Sequence, residues 1–348
     1  MSPEQQINPV LVQVTRGAQV ESLHRGALSV VDRSGREVVR LGCVEHAVFP
    51  RSAVKALQAL PLITTGAASR AGFDTGDLAL SCASHSGAPT HTDRVARTLS
   101  RLDLTTEHLC CGAHWPIGPR ETQDLARAGG APTKLHNNCS GKHAGMLALA
   151  AAIDPTAVAG YQALTHSVQT TIRATLERYC DMSLADVHPA IDGCGAPNWP
   201  VPINALARAF AAFVSGHGTA VDDGDAPDML MHACWDHPVL VAGEGRLDTD
   251  VLSVGRGLVF LKTGAEGVYC GGFPKLGLGF TLKIDDGATR ASEAATLALI
   301  NALYGALSPH FADRQYVRNW AGDVVGRVLP TPELADAVAR LGKDFGPS

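Results

Sequence analysis

Apolar and polar positions divide the chain into three stretches. Short β-type runs come first, at residues 10–14, 28–31 and 38–41, separated by glycine and Asp/Ser turns, and they predict a meander. From 52 to about 214 the apolar spacing becomes helical. Val54, Leu57, Leu60 and Leu62 suit a largely buried helix over 53–63, with Pro61 marking its end. Further helices are predicted over 92–102, 141–153, 161–179 and 203–214. The glycine-rich stretch 258–284 reads as β again, opening on a buried strand over 257–261, and an apolar helix follows over 288–307. This order predicts an α+β protein in which N- and C-terminal strands form one antiparallel sheet beside a helix-rich middle lobe. No repeat or low-complexity linker interrupts it. A single domain over 1–348 is expected, with a β-rich lobe from about 9–50 and 255–307 and a helix-rich lobe over about 51–254.

Composition narrows the partners. The formal net charge is −5, without a basic stripe, acidic tail or charge block, so nucleic acid and membrane surfaces are not expected partners. Residues 1–14 lack a basic start followed by an apolar core, and no run of about eighteen apolar residues occurs. Nine cysteines, an odd number without framework spacing, fit a reducing compartment. A cytoplasmic protein is expected.

Lysine is scarce, seven residues against twenty-two arginines. That scarcity gives weight to two strings, Ser52-Ala53-Val54-Lys55 and Lys262-Thr263-Gly264. Chance at this composition supplies roughly 0.4 copies of S-x-x-K and about 0.05 of Lys-Thr-Gly, so the ordered pair is informative where the first string alone is not. Residues three apart on a helix share a face, which lets the Lys55 amine reach the Ser52 hydroxyl. Serine attacks a carbonyl only when a base takes its proton, and a lysine in a dry pocket can be that base. The second lysine is expected at a strand end facing a cleft. Such serine–lysine hardware is that of the penicillin-recognising enzymes.

Two clusters add polar chemistry. Ser81-Cys82-Ala83-Ser84-His85-Ser86-Gly87 packs hydroxyls and an imidazole together, and Ser84 is the candidate second serine of such a cleft. A Ser-rich turn reads equally well there. His136-Asn137-Asn138-Cys139-Ser140-Gly141-Lys142-His143, echoed by Asp192-Gly193-Cys194-Gly195, crowds thiols, imidazoles and a lysine as a metal site or tuned pocket does. Its spacing is no established zinc pattern, and buried cysteines are commonly apolar filler. Ser140 carries an S-x-K spacing of its own and competes with the other serines by pattern.

These strings, with Arg51 before Ser52 and Ala265-Glu266-Gly267 after Gly264, resemble the rhizobial-type, or class 3, L-asparaginases of the asparaginase II family. The likeness spans about residues 9–305. It implies a serine-β-lactamase or penicillin-binding-protein-like fold, hydrolysis of L-asparagine to L-aspartate and ammonia, and two serine–lysine tandems, Ser52 with Lys55 and Ser84 with Lys262. It also implies a zinc ion held by Cys139, Lys142 and Cys194, and a homodimer. Arg51 suits the substrate α-carboxylate and Asp192 its α-ammonium, while the zinc is expected to position Asp192 and His143 rather than to make hydroxide. One departure is Ala88, where an acidic residue is expected in relatives.

Two other classes share part of the pattern. A β-lactamase or D,D-peptidase-like hydrolase would be exported and would turn over a β-lactam. A non-enzymatic zinc-binding protein would unfold on chelation.

Overall fold

The computed structural model describes residues 7–216 and 223–346, so residues 1–6 of the N-terminal segment lie outside it. The architecture is mixed α/β with an antiparallel sheet. The chain falls into two compact units, Met1–Ala53 with Val201–Ser215 and Leu258–Ser348, and Val54–Pro200 with Gly216–Gly257.

The first unit is built on strands β1 (Val10–Arg16), β2 (Gln19–Asp32), β3 (Glu37–Leu41), β4 (Phe260–Thr263), β5 (Val268–Phe273), β6 (Leu278–Ile284), β7 (Tyr316–Arg318) and β8 (Val324–Pro330). Their order is β7-β8-β1-β2-β6-β5-β4, with β3 also paired to β2. N-terminal and late strands therefore share one sheet: Leu28 pairs with Leu282 and Val30 with Phe280. β2 is longer than its apolar run because its polar first half is held by pairing with β1. β7, β8 and a helix over Pro332–Phe345 lie beyond residue 307, where no strand was expected, and β8 pairs with β1 through Val14 and Val328.

Every residue of β5 is buried, so both faces of the sheet are covered there. Helix Ile203–Ser215 packs on β2, β5 and β6. A Cβ at Gly279 would lie 2.0 Å from the Ala211 nitrogen and 2.3 Å from the Ala207 oxygen, so glycine facing two alanines permits the close approach. Lys262 lies within β4, opposite Cys270, rather than beyond the strand's end. The strand starts later than expected, after Gly257 in the left-handed region.

The second unit is helical: α1 (Lys55–Thr64), α2 (Thr75–Ser81), α3 (Pro89–Arg101), α4 (Pro119–Arg127), α5 (Ser140–Ile153), α6 (Ser167–Cys180), α7 (Ala226–Asp236) and α8 (Leu247–Val254). α5 is its core, buried at each position from Ser140 to Ala150 and packed on α1, α2, α3 and α6. α1 runs through Pro61 to Thr64 instead of stopping there. Burial of Leu57, Leu60, Pro61 and Leu62 holds the turn despite the missing N–H, and the Thr65 hydroxyl and N–H both donate to the Pro61 oxygen. The helix expected over 161–179 begins only at Ser167, capped by His166.

A capping box starts α2, with Asp74 and Asp77 each accepting from the other's N–H. Asp77 is 3% exposed and also accepts from Arg94, Arg101 and Thr98, which ties α3 to α2. Replacing Asp77 by Ala should lower unfolding free energy by about 2–3 kcal/mol, because two guanidiniums lose their common acceptor. Urea unfolding of the variant checks this; a loss under about 0.5 kcal/mol contradicts it.

Candidate active site

Glycines bring the two sequence clusters of the helical unit together. A Cβ at Gly141 would lie 2.3 Å from the Leu80 oxygen, and one at Gly145 would lie 2.9 Å from Ser81 Oγ. The first two turns of α5 therefore press against the end of α2. That contact sets Cys139, Lys142 and His143 beside the loop that carries Ser84.

Lys55 is the first residue of α1 and is 1% exposed. Its Nζ donates to Ser84 Oγ at 3.0 Å, to Cys139 Sγ at 3.2 Å and to the Ala83 carbonyl. The loop bearing Ser84 is fixed by its backbone, since Ser84 N–H donates to the Val241 oxygen and His85 N–H to the Asn138 oxygen. His85 Nε2 bonds Ser140 Oγ at 2.9 Å, and Ser140 in turn donates to the Leu135 oxygen. Ser140 is thus bonded to His85 and to the Leu135 carbonyl, whereas Ser84 is the serine that Lys55 touches.

Beyond Lys55 lies a thiol cluster. Lys142 Nζ is 3.0 Å from Cys194 Sγ. A hydrogen bond from Cys139, with the nearby Lys142 charge, brings the Cys194 thiol down to about 4, whereas that same bond and burial push Cys139 up to about 12. Burial alone would lower Lys142, yet Cys194 and Cys139 raise it, so the group reads as an ammonium–thiolate pair beside a neutral thiol. Asp192 Oδ2 is 3.9 Å from Cys194 Sγ, on a tight turn that needs Gly195 at φ +86. His143 Nδ1 bonds the Tyr161 hydroxyl at 2.6 Å, which also accepts from Cys110 N–H. Burial and the Lys142 charge hold His143 down at about 3, and its Nε2 has no partner among the described residues.

The donor set can be set against zinc. Two thiols and an amine are soft enough donors for it, and they contact one another, although Lys142 must lose its proton to ligate. Among the described residues no group of three or more His, Cys, Asp or Glu is placed to hold a metal. Two residues here carry no sequence signal of their own: Tyr161 falls inside the helical period of 161–179, and Cys111 stands outside every motif. The Cys111 thiol is pushed up to about 12 by burial and by Cys139 and Cys194.

The other expected residues belong to the sheet unit. Ser52 lies on a 3-10 turn, Arg51–Val54. Arg51 has φ 53, a left-handed conformation costing a non-glycine residue about 1–3 kcal/mol, directly before Ser52. Lys262 is 1% exposed and donates to the Thr263 oxygen at 2.9 Å. A Cβ at Gly264 would lie 2.7 Å from the Pro50 oxygen, so the Lys-Thr-Gly strand end packs on the turn that carries Arg51 and Ser52. The Lys-Thr-Gly string thus meets Pro50 and Ala53, on either side of Arg51 and Ser52, within this unit.

The profile of the family described as L-asparaginase II matches residues 12–330. The chain belongs to that family. No curated protein matches it. Among solved structures, one titled "Crystal structure of Mglu in its native form in the presence of 4.3M NaCl" is 13% identical, over 83% of this chain and 61% of that one, at a TM-score of 0.36. The chain thus spans about three fifths of that protein, and so slight a likeness carries no argument.

His85 and His91, buried near this site, give it an acid limit. Their rings stack at 4.8 Å. Burial depresses both below the ordinary imidazole value of 6.5. Below that value the unfolded chain binds protons that the fold refuses, so stability should be full above about pH 6.5 and fall as pH drops further. Urea midpoints from about pH 7.5 to about pH 5 test this; a flat series contradicts it.

Proposed function

We propose that the protein hydrolyses the side-chain amide of L-asparagine to L-aspartate and ammonia through a lysine-activated serine. The observation that carries this reading is the buried Lys55 amine 3.0 Å from Ser84 Oγ, in a chain of the L-asparaginase II family. Ser52, three residues before Lys55 in the chain, supplies the attacking oxygen, and Lys55 is the general base. The Ser52 Oγ–carbon bond forms, the carbon–nitrogen bond breaks, and ammonia leaves with the proton. Water then cleaves the ester, releasing aspartate and restoring Ser52. Ser84 passes protons to and from Lys55, with Lys262 as its second partner, while Arg51 and Asp192 recognise the two ends of the amino acid. A second reading, Ser84 as nucleophile, is favoured by its direct bond to Lys55.

Cys139, Cys194 and Lys142 are the residues that would hold zinc. Bound there, the metal would supply a fixed charge that orders the Asp192 turn, and the nucleophile would still come from serine. The same reading takes the chain as one catalytic domain of serine-β-lactamase-like design, cytoplasmic and homodimeric. Among the described residues no helix is long and apolar enough to cross a membrane.

Ammonia and L-aspartate should appear in equal amounts from L-asparagine. Turnover of a chromogenic β-lactam with no release from L-asparagine would overturn the reading. L-Glutamine, one methylene longer, should be disfavoured by about 1–3 kcal/mol.

A further inference from the structure

His143 and Tyr161 are both 0% exposed and are joined by a 2.6 Å bond between Nδ1 and the phenol oxygen. Their rings meet edge to face, centroids 5.5 Å apart. One proton lies in that short bond, and its owner follows from counting donors. The Cys110 backbone N–H donates to the same phenol oxygen at 2.9 Å, and an amide N–H can do nothing else. Were His143 also to donate from Nδ1, the phenol would accept twice, and its own proton would be left with the nearby Cys110 thiol, a weak acceptor. With Tyr161 donating to Nδ1 instead, the row from Cys110 N–H to the imidazole is satisfied by strong partners throughout.

The imidazole then carries its hydrogen on Nε2. That nitrogen has no partner among the described residues. A histidine that ligates a metal through one ring nitrogen donates from the other. At His143 the other nitrogen accepts, so Nε2 keeps its hydrogen and has no free lone pair with which to ligate zinc or take a proton. It can only donate. The ring stands one residue past Lys142 and four past Cys139 on α5, and lies close enough to Lys55 and Asp192 to act on them electrostatically.

We propose that Tyr161 is a positioning residue: it locks His143 in the Nε2–H form, so that the ring works beside Lys55 and Asp192 as a hydrogen-bond donor. Its part in turnover rests on the proposed hydrolysis of L-asparagine; the locked tautomer does not.

Heteronuclear NMR of the full chain with isotopically labelled histidine reads the tautomer without substrate, and the signal lost in His143→Gln identifies the ring. The Nε2–H form is expected in the wild type and a mixture of both forms in Tyr161→Phe. Glutamine at 143 keeps an N–H near the Nε2 position and has no tautomer to lock. Tyr161→Phe should therefore lower kcat/KM for L-asparagine about tenfold in the wild type but less than about twofold when His143→Gln is already present. An Nδ1–H signal in the wild type, an unchanged signal in Tyr161→Phe, or equal kinetic losses in the two backgrounds overturns the proposal. Should Tyr161→Phe fail to fold, the wild-type spectrum decides the tautomer, and His143→Gln retaining about tenfold more activity than His143→Asn, whose shorter amide leaves the Nε2 position empty, decides the role. A wild type that shows the Nε2–H signal yet releases no ammonia from L-asparagine overturns the asparaginase reading and leaves the lock standing.

Discussion

Replacing Lys55 by Met is expected to leave a folded protein whose hydrolysis of L-asparagine falls about 10²- to 10⁴-fold, the usual weight of a positioned general base. Met matches the length of the lysine stem, so packing at the start of α1 is kept. The loss is confined to the bonds to Ser84, Cys139 and the Ala83 carbonyl. The carbonyl left bare costs about 1–3 kcal/mol of stability. Steady-state ammonia release together with circular dichroism separates the two effects. A folded K55M enzyme with undiminished kcat would remove Lys55 from the chemistry.

Ser52→Ala carries the larger effect. Loss of the attacking oxygen should cut kcat by about 10⁴-fold or more, as removal of a nucleophile does elsewhere. Ser84→Ala should cost less, about 10²-fold, because a proton relay can be replaced in part by water. The reverse order would move the nucleophile to Ser84, consistent with the hydrogen bond it already makes to Lys55. Kinetics on both variants read the order directly.

Much of the site was legible because its parts are local. The apolar stripe after S-x-x-K predicts a buried helix over 53–63, and the helix is there, shifted to Lys55–Thr64 with Ser52 on the 3-10 turn before it. Gly257 to Leu261 read as a strand leading to Lys262, and the strand is there, shifted to Phe260–Thr263. What could not be read was contact across long separations. Lys55 meets Cys139 over 84 positions. That meeting depends on Gly141 and Gly145 letting α5 close on α2, and glycine in a sequence marks an allowed approach without naming the partner. Tyr161 fell inside a helical period, so its role beneath His143 was hidden. Beyond residue 307 the strand β7 has three residues and Trp320 is fully exposed, too weak an apolar pattern to signal a sheet.

The central claim is that a lysine-activated serine forms a covalent intermediate with L-asparagine. Rapid acid quench during turnover, followed by peptide mass mapping, tests it most directly. The account predicts an aspartyl ester on Ser52, absent from the Ser52→Ala variant. An enzyme that releases ammonia at full rate with no acyl group on Ser52 or Ser84 would contradict it.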